Sequence, residues 1–289
     1  MQFGSRIGSS ARAILHITCG VVLSSSVALG DGEKVDCPTP APLTPKLARS
    51  ETYKDVPFQA GEKATYEVFY AGMLAGTGSL EVKTAQKQRD AWHRVFHAHA
   101  KTGDWYKLIF VAEDMVEATS RPWDFGITKF YMEQDEGKMF GTRLVQKKYL
   151  DFDHDGCKVT ERVWKPGVRD ANDSHDLQRS AIDALGAVFK LRTFNYQVGK
   201  TERFMVYTDS KNWWLEATPI AREKVTVKAG TYDAIKLKLQ TYLGKELQQK
   251  GEVFVWIDQG TPQRPLVQIK GDIKIGSVWL EMESFVAGK

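Results

Sequence analysis

The feature that most constrains this chain is an alternation of apolar and polar side chains in its C-terminal third. In Ala234–Leu239, isoleucine and leucine occupy every second position and lysines stand between them. Successive side chains of a β-strand point to opposite faces of a sheet, so this alternation predicts strands with one buried and one solvated face. The same pattern occurs in Val225–Val227, Val253–Ile257 and Val278–Phe285.

Strand patterns continue through the middle of the chain, in short runs rich in aromatic and β-branched residues. A glycine-rich stretch, Ala71–Gly78, predicts a bend. The dipeptide Asp155-Gly156 predicts a hairpin turn between strands Tyr149–Phe152 and Lys158–Val163. The other predicted strands are Ala64–Tyr70, Leu80–Val82, Trp92–Ala100, Trp105–Ala112, Met115–Ser120, Thr128–Glu133 and Thr142–Asp151.

One segment has helical rather than strand periodicity. Between Ser174 and Thr193, apolar residues recur every three or four positions, and Asp173 or Ser174 can accept the first backbone N–H groups of a helix. Neither an amphipathic helix nor a half-solvated sheet can bury its apolar face alone. The sequence therefore predicts a mainly β protein, a single curved antiparallel sheet wrapped around one amphipathic helix. The apolar helix positions are Leu177, Ala181, Ile182, Leu185, Val188 and Phe189.

The first thirty residues have the layout of a secretory signal peptide. Arg6 and Arg12 precede an apolar run, Ala13–Leu23, and small residues at Ala28 and Gly30 suit cleavage after Gly30. The run is shorter than the roughly 20 residues that cross a bilayer, so we expect a cleaved signal, a periplasmic location and no membrane span in the mature chain. Residues 31–57 are proline-rich and predict an arm or linker, and residues 58–289 predict a single β-rich domain.

Export changes the interpretation of the cysteines. Removal of the signal also removes Cys19 and leaves Cys37 and Cys157, an even pair in an oxidising compartment where disulfides persist. A disulfide between them would tie the proline-rich arm to the body of the domain. Two unrelated thiols are the alternative. Neither cysteine lies in a CxxC motif of the kind that binds metal or performs redox catalysis.

Charge and motif content exclude several classes of function. The formal net charge is +4, from 40 basic and 36 acidic residues, which is too small an excess for the concentrated basic surface of a nucleic-acid-binding protein. The sequence contains no GxSxG, HExxH or P-loop motif. We therefore expect a protein that is not an enzyme and that has no catalytic residues, no cofactor and no metal.

Two short patterns match metal sites only in part. Asp151–Gly156 begins like a calcium-binding loop, but position 12 is Arg162, where the loop requires a bidentate glutamate, so a solvated hairpin explains it better. His93, His97 and His99 would point to one face of a strand and could face a zinc or nickel ion. No nearby cysteine or carboxylate completes that motif, and surface histidines on a solvated strand face are the preferred interpretation.

The eight tryptophans are more informative about a ligand. Tryptophan rings line apolar cavities in carrier proteins and stack on sugars in glycan-binding clefts, although most of them belong to ordinary cores. Trp213 and Trp214 are the exception, because adjacent strand residues point to opposite faces and both cannot easily enter the same core. We therefore expect one of the two at a rim or on a ligand-facing surface.

Four segments resemble the bacterial family called domain of unknown function 3108. The segments are FQAGEKATYEVFYAGMLAGTGSLEV (Phe58–Val82), DLQRSAIDALGAVFKLRTF (Asp176–Phe194), VTVKAGTYDAIKLKL (Val225–Leu239) and VWIDQGTPQRPLVQIKGDIKIGSVWLEMESF (Val255–Phe285). The resemblance covers about residues 58–286. It implies an exported envelope protein whose sheet forms an open β-barrel or β-spiral, distantly similar to the LolA and LolB lipoprotein carriers. It implies no established activity and no functional residues.

These observations support three hypotheses of function. The first is a non-enzymatic periplasmic protein that binds a hydrophobic ligand, such as a lipid, an acyl chain or a lipoprotein segment, in the groove of the curved sheet. The second is a structural or interaction protein whose groove is filled by its own helix and which binds an envelope partner through a sheet edge or the N-terminal arm. The third, with the least support, is an enzyme acting on envelope glycans or lipids, which would require convergent acids or a histidine with a nucleophile in one cleft.

Overall fold

The structure is a computed structural model that describes residue 37 and residues 52–88, 91–108, 110–138, 141–248, 251–272 and 277–289. Sixteen strands in this part of the chain form one sheet. They are β1 (Lys63–Tyr70), β2 (Met73–Gln88), β3 (Ala91–Thr102), β4 (Val111–Ser120), β5 (Ile127–Gly137), β6 (Arg143–Asp153), β7 (Lys158–Trp164), β8 (Ala171–Asp176), β9 (Ile182–Asp183), β10 (Glu202–Thr208), β11 (Lys211–Val227), β12 (Gly230–Leu243), β13 (Glu246–Leu247), β14 (Val253–Asp258), β15 (Leu266–Asp272) and β16 (Ser277–Val286).

The sheet is one continuous, unclosed ribbon. Its strand order is β8-β7-β6-β5-β4-β3-β2-β1-β16-β15-β14-β12-β11-β10-β9, with β13 paired to β12. All these pairs are antiparallel except the two-residue pairing of β9 with β10. The predicted alternation of buried and solvated side chains is present in β12, where Ile235, Leu237 and Leu239 are fully buried. For the residues that the structure describes, the predicted fold class, a mainly β protein with one curved antiparallel sheet and a single α-helix, is confirmed.

The helix α1 (Ala184–Leu191) is much shorter than the predicted segment Ser174–Thr193. Residues before Leu177 belong instead to the edge strand β8, which pairs with β7. Leu177 and Ala181 pack in a separate apolar cluster, away from the main core that buries α1. The spacing therefore predicted correctly that these apolar residues are buried, but they are buried in two different apolar clusters and not along one helix.

Two strand boundaries also differ from the predicted ones. The predicted bend Ala71–Gly78 is only a two-residue turn, Ala71-Gly72, with both φ angles positive, and β2 begins directly after it. Gly76 therefore lies inside a strand, where a Cβ would sit 2.2 Å from the Lys101 carbonyl oxygen. Residues 105–112, predicted as a strand, contain a short 3-10 helix, Tyr106–Leu108, before β4 begins.

Asp183 fixes the start of α1. Its carboxylate accepts the backbone N–H groups of Leu185 and Gly186 at 2.9 and 3.0 Å, which are two of the donors that a helix N-terminus leaves without partners. The side chain is buried, and this burial raises its pKa to about 6. The helix thus begins at a cap that sequence analysis placed about ten residues too early.

Replacing Asp183 with alanine should lower the free energy of unfolding by about 1–2 kcal/mol, because two N–H groups lose their acceptor. Asp183→Asn is the matched control, since its amide oxygen can accept the same bonds without a buried charge. Urea denaturation followed by tryptophan fluorescence measures both. Equal losses for the two variants would show that the cap is not what Asp183 contributes.

The main core lies inside the curved sheet, where α1 is packed. The Phe189 ring of α1 stacks on the Phe96 ring of β3, with 4.1 Å between the ring centroids. It also packs edge to face against the Phe58 ring, with 5.2 Å between the centroids. Phe58 also contacts Phe125 at 6.2 Å. Aromatic rings packed in this geometry contribute more than their buried area alone. The helix therefore fills the interior around it with side chains of the protein itself.

The two ends of the ribbon overlap instead of closing a barrel. Leu150 of β6 and Val159 of β7 pack against Met205 and Tyr207 of β10 in a second apolar cluster. Neighbouring residues of β10, Phe204 and Val206, point the other way into the main core. Strand β10 is thus buried on both faces, and the sheet is a spiral whose outer end covers its inner end. We call this overlap the seam.

Because neighbouring strands are antiparallel, their ends fall on two rims. One rim carries the connections β1–β2, β3–β4, β5–β6, β7–β8, β10–β11, β12–β14 and β15–β16. We call it the open rim. The opposite rim is closed by the C-terminal end of α1, where Arg192 bonds Glu62 directly before β1. We call it the closed rim.

Candidate functional site

The candidate site is the inner face of the sheet next to the open rim, which we call the mouth. Trp213 lies there, because it shares a face of β11 with the core residues Leu215 and Ala217. Its ring is 5% exposed, yet it belongs to none of the apolar clusters formed by the described residues, and its Nε1–H donates to the Thr208 carbonyl at 3.0 Å. The mouth thus presents a tryptophan that is sheltered but lies outside the main core.

A small aromatic cluster flanks the mouth at the rim. Tyr106 and Phe110, in the β3–β4 connection, are buried with Ala75 and Ala112 and stay separate from the main core. The Tyr106 ring packs edge to face against the rings of Tyr70 and Trp105, at centroid distances of 6.3 and 5.1 Å. Trp105 itself is 50% exposed, and its Nε1–H donates to the Leu74 carbonyl at 3.1 Å. Apolar surface therefore continues from the sheltered cluster to the outside of the rim.

Two buried carboxyl groups also face the mouth. Asp114 of β4 and Glu136 of β5 are both buried, and neither has a cationic partner among the described residues. Asp114 Oδ1 accepts the Asp135 backbone N–H at 2.9 Å. Among the described residues, no donor outside this pair of acids bonds to Asp114 Oδ2 or to either carboxyl oxygen of Glu136. Burial, followed by the charge of Glu136, raises the pKa of Asp114 to about 9. Burial and the adjacent acid thus favour the protonated form of Asp114.

Sequence reasoning missed this acid pair, although a signal was present. Asp114 alternates in register with Ala112, Val116 and Ala118, which all face inward. The same argument places Glu136 on the inner face of β5. An acid at an inward position of an alternating strand is the pattern that could have identified it.

A polar network ties the seam together. Glu161 of β7 accepts Ser210 Oγ–H at 3.0 Å and pairs with Lys148 Nζ at 2.9 Å, and His175 Nε2 lies 3.3 Å from the same carboxylate. Burial raises the pKa of Glu161, but the hydrogen bond and charge of Lys148 outweigh it and hold the pKa below its usual value. Here a carboxylate stands between the serine and the histidine, whereas a catalytic triad places the histidine between the other two groups. The arrangement holds the tip of the β10–β11 hairpin against β7 and β8.

Trp214 lies in the seam and not in the mouth. It packs partly buried against the second apolar cluster, and the Arg203 guanidinium covers its ring at 4.3 Å. The adjacent tryptophans thus occupy opposite faces of β11, as strand geometry requires. Of the two predicted ligand residues, the structure brings only Trp213 to the mouth.

Cys37 and Cys157 are joined by a disulfide, with an S–S distance of 2.00 Å and a Cα–Cα distance of 5.9 Å. Cys157 lies in the β6–β7 hairpin at the closed rim. The bond therefore ties the N-terminal arm to the domain far from the mouth. The rest of residues 1–51, including the predicted signal peptide, Cys19 and most of the proline-rich arm, lies outside the described residues.

The predicted calcium-like sequence is a hairpin turn. Asp153 Oδ1 accepts the backbone N–H groups of Asp155 and Gly156 at 3.0 and 2.9 Å, so this carboxylate oxygen is engaged in the turn itself. Asp151 pairs with Arg162 at 3.3 Å across the hairpin. The preferred interpretation of Asp151–Gly156 as a hairpin is confirmed.

The three histidines of β3 have different surroundings. His97 and His99 are partly exposed, whereas His93 is buried with its ring 6.4 Å from Trp123. The expectation of three histidines on a solvated face is therefore wrong for His93, because the β4–β5 connection that carries Trp123 packs over it. Within the described ranges, no group of three or more histidine, cysteine, aspartate or glutamate side chains is placed to bind a metal ion.

A surface pocket of about 520 Å³ lies at the closed rim, between the segment before β1, the residues after α1 and the β14–β15 connection. Its lining is mainly polar and includes Asp55, Asn195 and Arg264. Arg264 is held by the Phe194 carbonyl at 3.0 Å and by Asn195 Oδ1 at 2.8 Å. This pocket is not an apolar groove. None of the helices in the described ranges combines the length and the hydropathy of a bilayer-spanning segment.

Comparison with known families and proteins gives one family match. Residues 65–283 match a family model described as a protein of unknown function, DUF3108. None of the curated proteins matches this chain.

Among solved structures, the chain is similar to a β-barrel-like protein of the domain of unknown function DUF1849 from Brucella abortus. The two share 8% identity at a TM-score of 0.51, over 80% of this chain and 99% of the other. A candidate exported protein with a YmcC-like fold from Bacteroides fragilis aligns at 14% identity and a TM-score of 0.35, over 80% and 98% of the two chains. A candidate lipoprotein from Parabacteroides distasonis aligns at 13% and 0.34, over 80% and 99%. The first likeness supports the barrel-like fold alone.

Proposed function

Since this chain belongs to the DUF3108 family of proteins of unknown function, we propose that it is a non-enzymatic envelope protein, exported to the periplasm by a cleaved signal peptide, that binds a hydrophobic ligand. The ligand class is a lipid, an acyl chain or a lipoprotein segment. Binding takes place at the mouth, involves no covalent step and derives its energy from burial of apolar surface.

The observation that carries this proposal is the uneven distribution of exposed apolar side chains. The described residues leave twelve large hydrophobic side chains exposed, and seven of them lie at the open rim. Scattered single exposures are normal on soluble proteins, whereas a concentration at one place indicates a binding surface. The seven are Met73, Leu74, Trp105, Leu108, Trp164, Val168 and Leu247.

The packing of α1 favours a ligand site at the mouth over a site that extends along the whole interior of the curved sheet. The buried rings of Phe58, Phe96, Phe125 and Phe189 pack against one another around α1, so the protein's own side chains occupy that part of the interior. Trp213 lies outside that packed core and faces the same interior from the rim side. We place the apolar part of the ligand against this sheltered ring, behind the exposed side chains of the rim.

The filled core also favours a second candidate. A structural or interaction protein needs no empty groove, and its folded domain can present a sheet edge to an envelope partner. Strand β8 is such an edge, and its side chains are largely exposed. This candidate predicts a protein that carries no lipid at any stage of purification.

Replacing Trp213 with phenylalanine should weaken lipid binding about five- to tenfold, because the smaller ring removes roughly 50 Å² of apolar contact. Native mass spectrometry of protein purified without detergent should show a co-purified lipid mass. Titration with a fluorescent fatty acid below its micelle concentration gives the dissociation constant.

Trp214→Phe is the matched control, since that ring lies in the seam, and it should bind as tightly as the unchanged protein. Thermal melting verifies that both variants remain folded. Protein that is free of lipid in the mass spectrum and also fails to bind the fluorescent fatty acid would refute the proposal and leave the interaction protein as the better candidate.

A further inference from the structure

We infer that the open rim docks on the surface of an anionic lipid bilayer. The inference rests on the proposed function, because a protein that takes up a lipid or acyl chain must meet the surface that holds it. It adds a membrane contact made by the connections around the mouth. The docking is peripheral and reversible, and the strands themselves stay outside the bilayer.

Two connections at this rim combine tryptophan, aliphatic and cationic side chains. The β3–β4 connection exposes Trp105 and Leu108, the latter at 72%, beside Lys107. The β7–β8 connection exposes Trp164 and Val168, the latter at 62%. Amphipathic tryptophan rings prefer the headgroup region of a bilayer, and short apolar side chains beside them can insert below it.

The charge of the rim is complementary to anionic lipids. The described residues of its connections include eight basic and six acidic side chains, an excess of two positive charges. Lys165 and Arg169 are exposed on either side of Val168 in the β7–β8 connection. Cationic side chains close to a negatively charged membrane surface each add to the attraction. The residues counted are 70–74, 101–108, 110–111, 137–138, 141–143, 164–171, 208–211, 243–248, 251–253, 272 and 277.

The layout of these apolar residues favours a bilayer over a protein partner. They lie in separate connections around the rim, with the buried acids Asp114 and Glu136 on the inner face beside them. A helix of a partner would need a continuous apolar groove, and a strand added to the free edge β8 would lie at one end of the ribbon only. A fluid lipid surface can receive several separate insertions at once. The opposite rim exposes only Trp123, Val198 and Val286 among the large hydrophobic residues described.

Cosedimentation with vesicles tests the inference. The exported protein should bind vesicles of phosphatidylcholine and phosphatidylglycerol, and binding should fall several-fold when salt is raised or when the anionic lipid is omitted. The rim variant Leu108→Ser/Val168→Ser should bind at least tenfold more weakly. The matched control is Val198→Ser/Val286→Ser, which removes two side chains of similar exposure from the opposite rim and should bind normally. All four positions are exposed, so both variants should fold.

The outcomes separate docking from ligand binding. Charge reversal by Lys165→Glu/Arg169→Glu should weaken binding to anionic vesicles while leaving fluorescent fatty acid binding unchanged. Fatty acid binding without any vesicle binding would overturn the docking and preserve the proposed function, whereas the reverse result would preserve the docking alone. Equal losses for the rim and control variants would overturn it. A concentration-dependent dimer that the Leu108→Ser/Val168→Ser variant no longer forms would also overturn the inference, because a second copy of the protein would then cover the rim.

Discussion

Replacing Arg192 with methionine is expected to lower the free energy of unfolding by about 3–5 kcal/mol, the cost of leaving a buried charge without its partner. Arg192 donates from Nη1 and Nη2 to the two carboxylate oxygens of Glu62 at 2.7 and 3.0 Å, and both side chains are almost completely buried. Its Nε–H donates to the Arg264 carbonyl at 2.9 Å, and the second N–H of Nη2 donates to the Gln263 carbonyl at 2.7 Å. The guanidinium therefore joins the end of α1 to the start of β1 and to the β14–β15 connection.

The appropriate comparison is a double replacement that leaves neither charge. Glu62→Gln/Arg192→Met should recover part of the loss, because removing both members of a buried pair costs less than removing one. Lys224→Met is the surface control, since Lys224 and Asp233 form an ion pair at 3.2 Å that is mostly exposed, and the change should cost less than 1 kcal/mol. Urea denaturation measures all three. An Arg192→Met variant as stable as Lys224→Met would show that the pair does not hold the helix in place.

The fold could be predicted from sequence largely because burial on one face leaves a regular trace. In β12, lysines separate Ile235, Leu237 and Leu239, and the structure buries all three of these residues and leaves the lysines partly exposed. The hairpin at Asp155-Gly156 was equally visible, since its turn depends on local chemistry alone. The tertiary pairing of β1 with β16, more than 200 residues apart in sequence, left no comparable signal.

The helix shows where periodicity stops being informative. Leu177, Ala181 and Ile182 have helical spacing with Leu185, but Leu177 and Ala181 enter the seam while Ile182 and Leu185 enter the main core. Spacing reports that a residue is buried and not which surface buries it. Strand β8 was missed for a different reason, because its residues ANDSHD are largely exposed and pair mainly through the backbone.

Some features of the candidate site could likewise be predicted from the sequence, and others could not. The opposite orientation of Trp213 and Trp214 follows from strand geometry and could be predicted, whereas the choice of which one faces the mouth depends on the overlap of the sheet ends. The Glu62–Arg192 pair could not be predicted, since 130 residues separate its members. Buried charge is placed by tertiary packing, and a single sequence seldom reveals it.

Replacing Asp114 with asparagine is expected to stabilise the protein at neutral and alkaline pH. Burial and the neighbouring Glu136 raise the pKa of Asp114 to about 9 from an unperturbed value of 3.8. The folded protein therefore binds more protons than the unfolded chain between these two values, and its free energy of unfolding falls as pH rises through that window. Asparagine keeps the acceptor for the Asp135 N–H and has no proton to lose.

The variant should be about 2–4 kcal/mol more stable than the unchanged protein near pH 8, and the difference should vanish near pH 4, where both chains carry a neutral side chain. Glu113→Gln is the matched control, because Glu113 is adjacent on β4 but exposed on the outer face, and it should leave the pH dependence unchanged. Urea denaturation across this pH range gives the slopes. A variant that keeps the slope of the unchanged protein would show that Asp114 does not hold the proton whose release lowers the stability as pH rises.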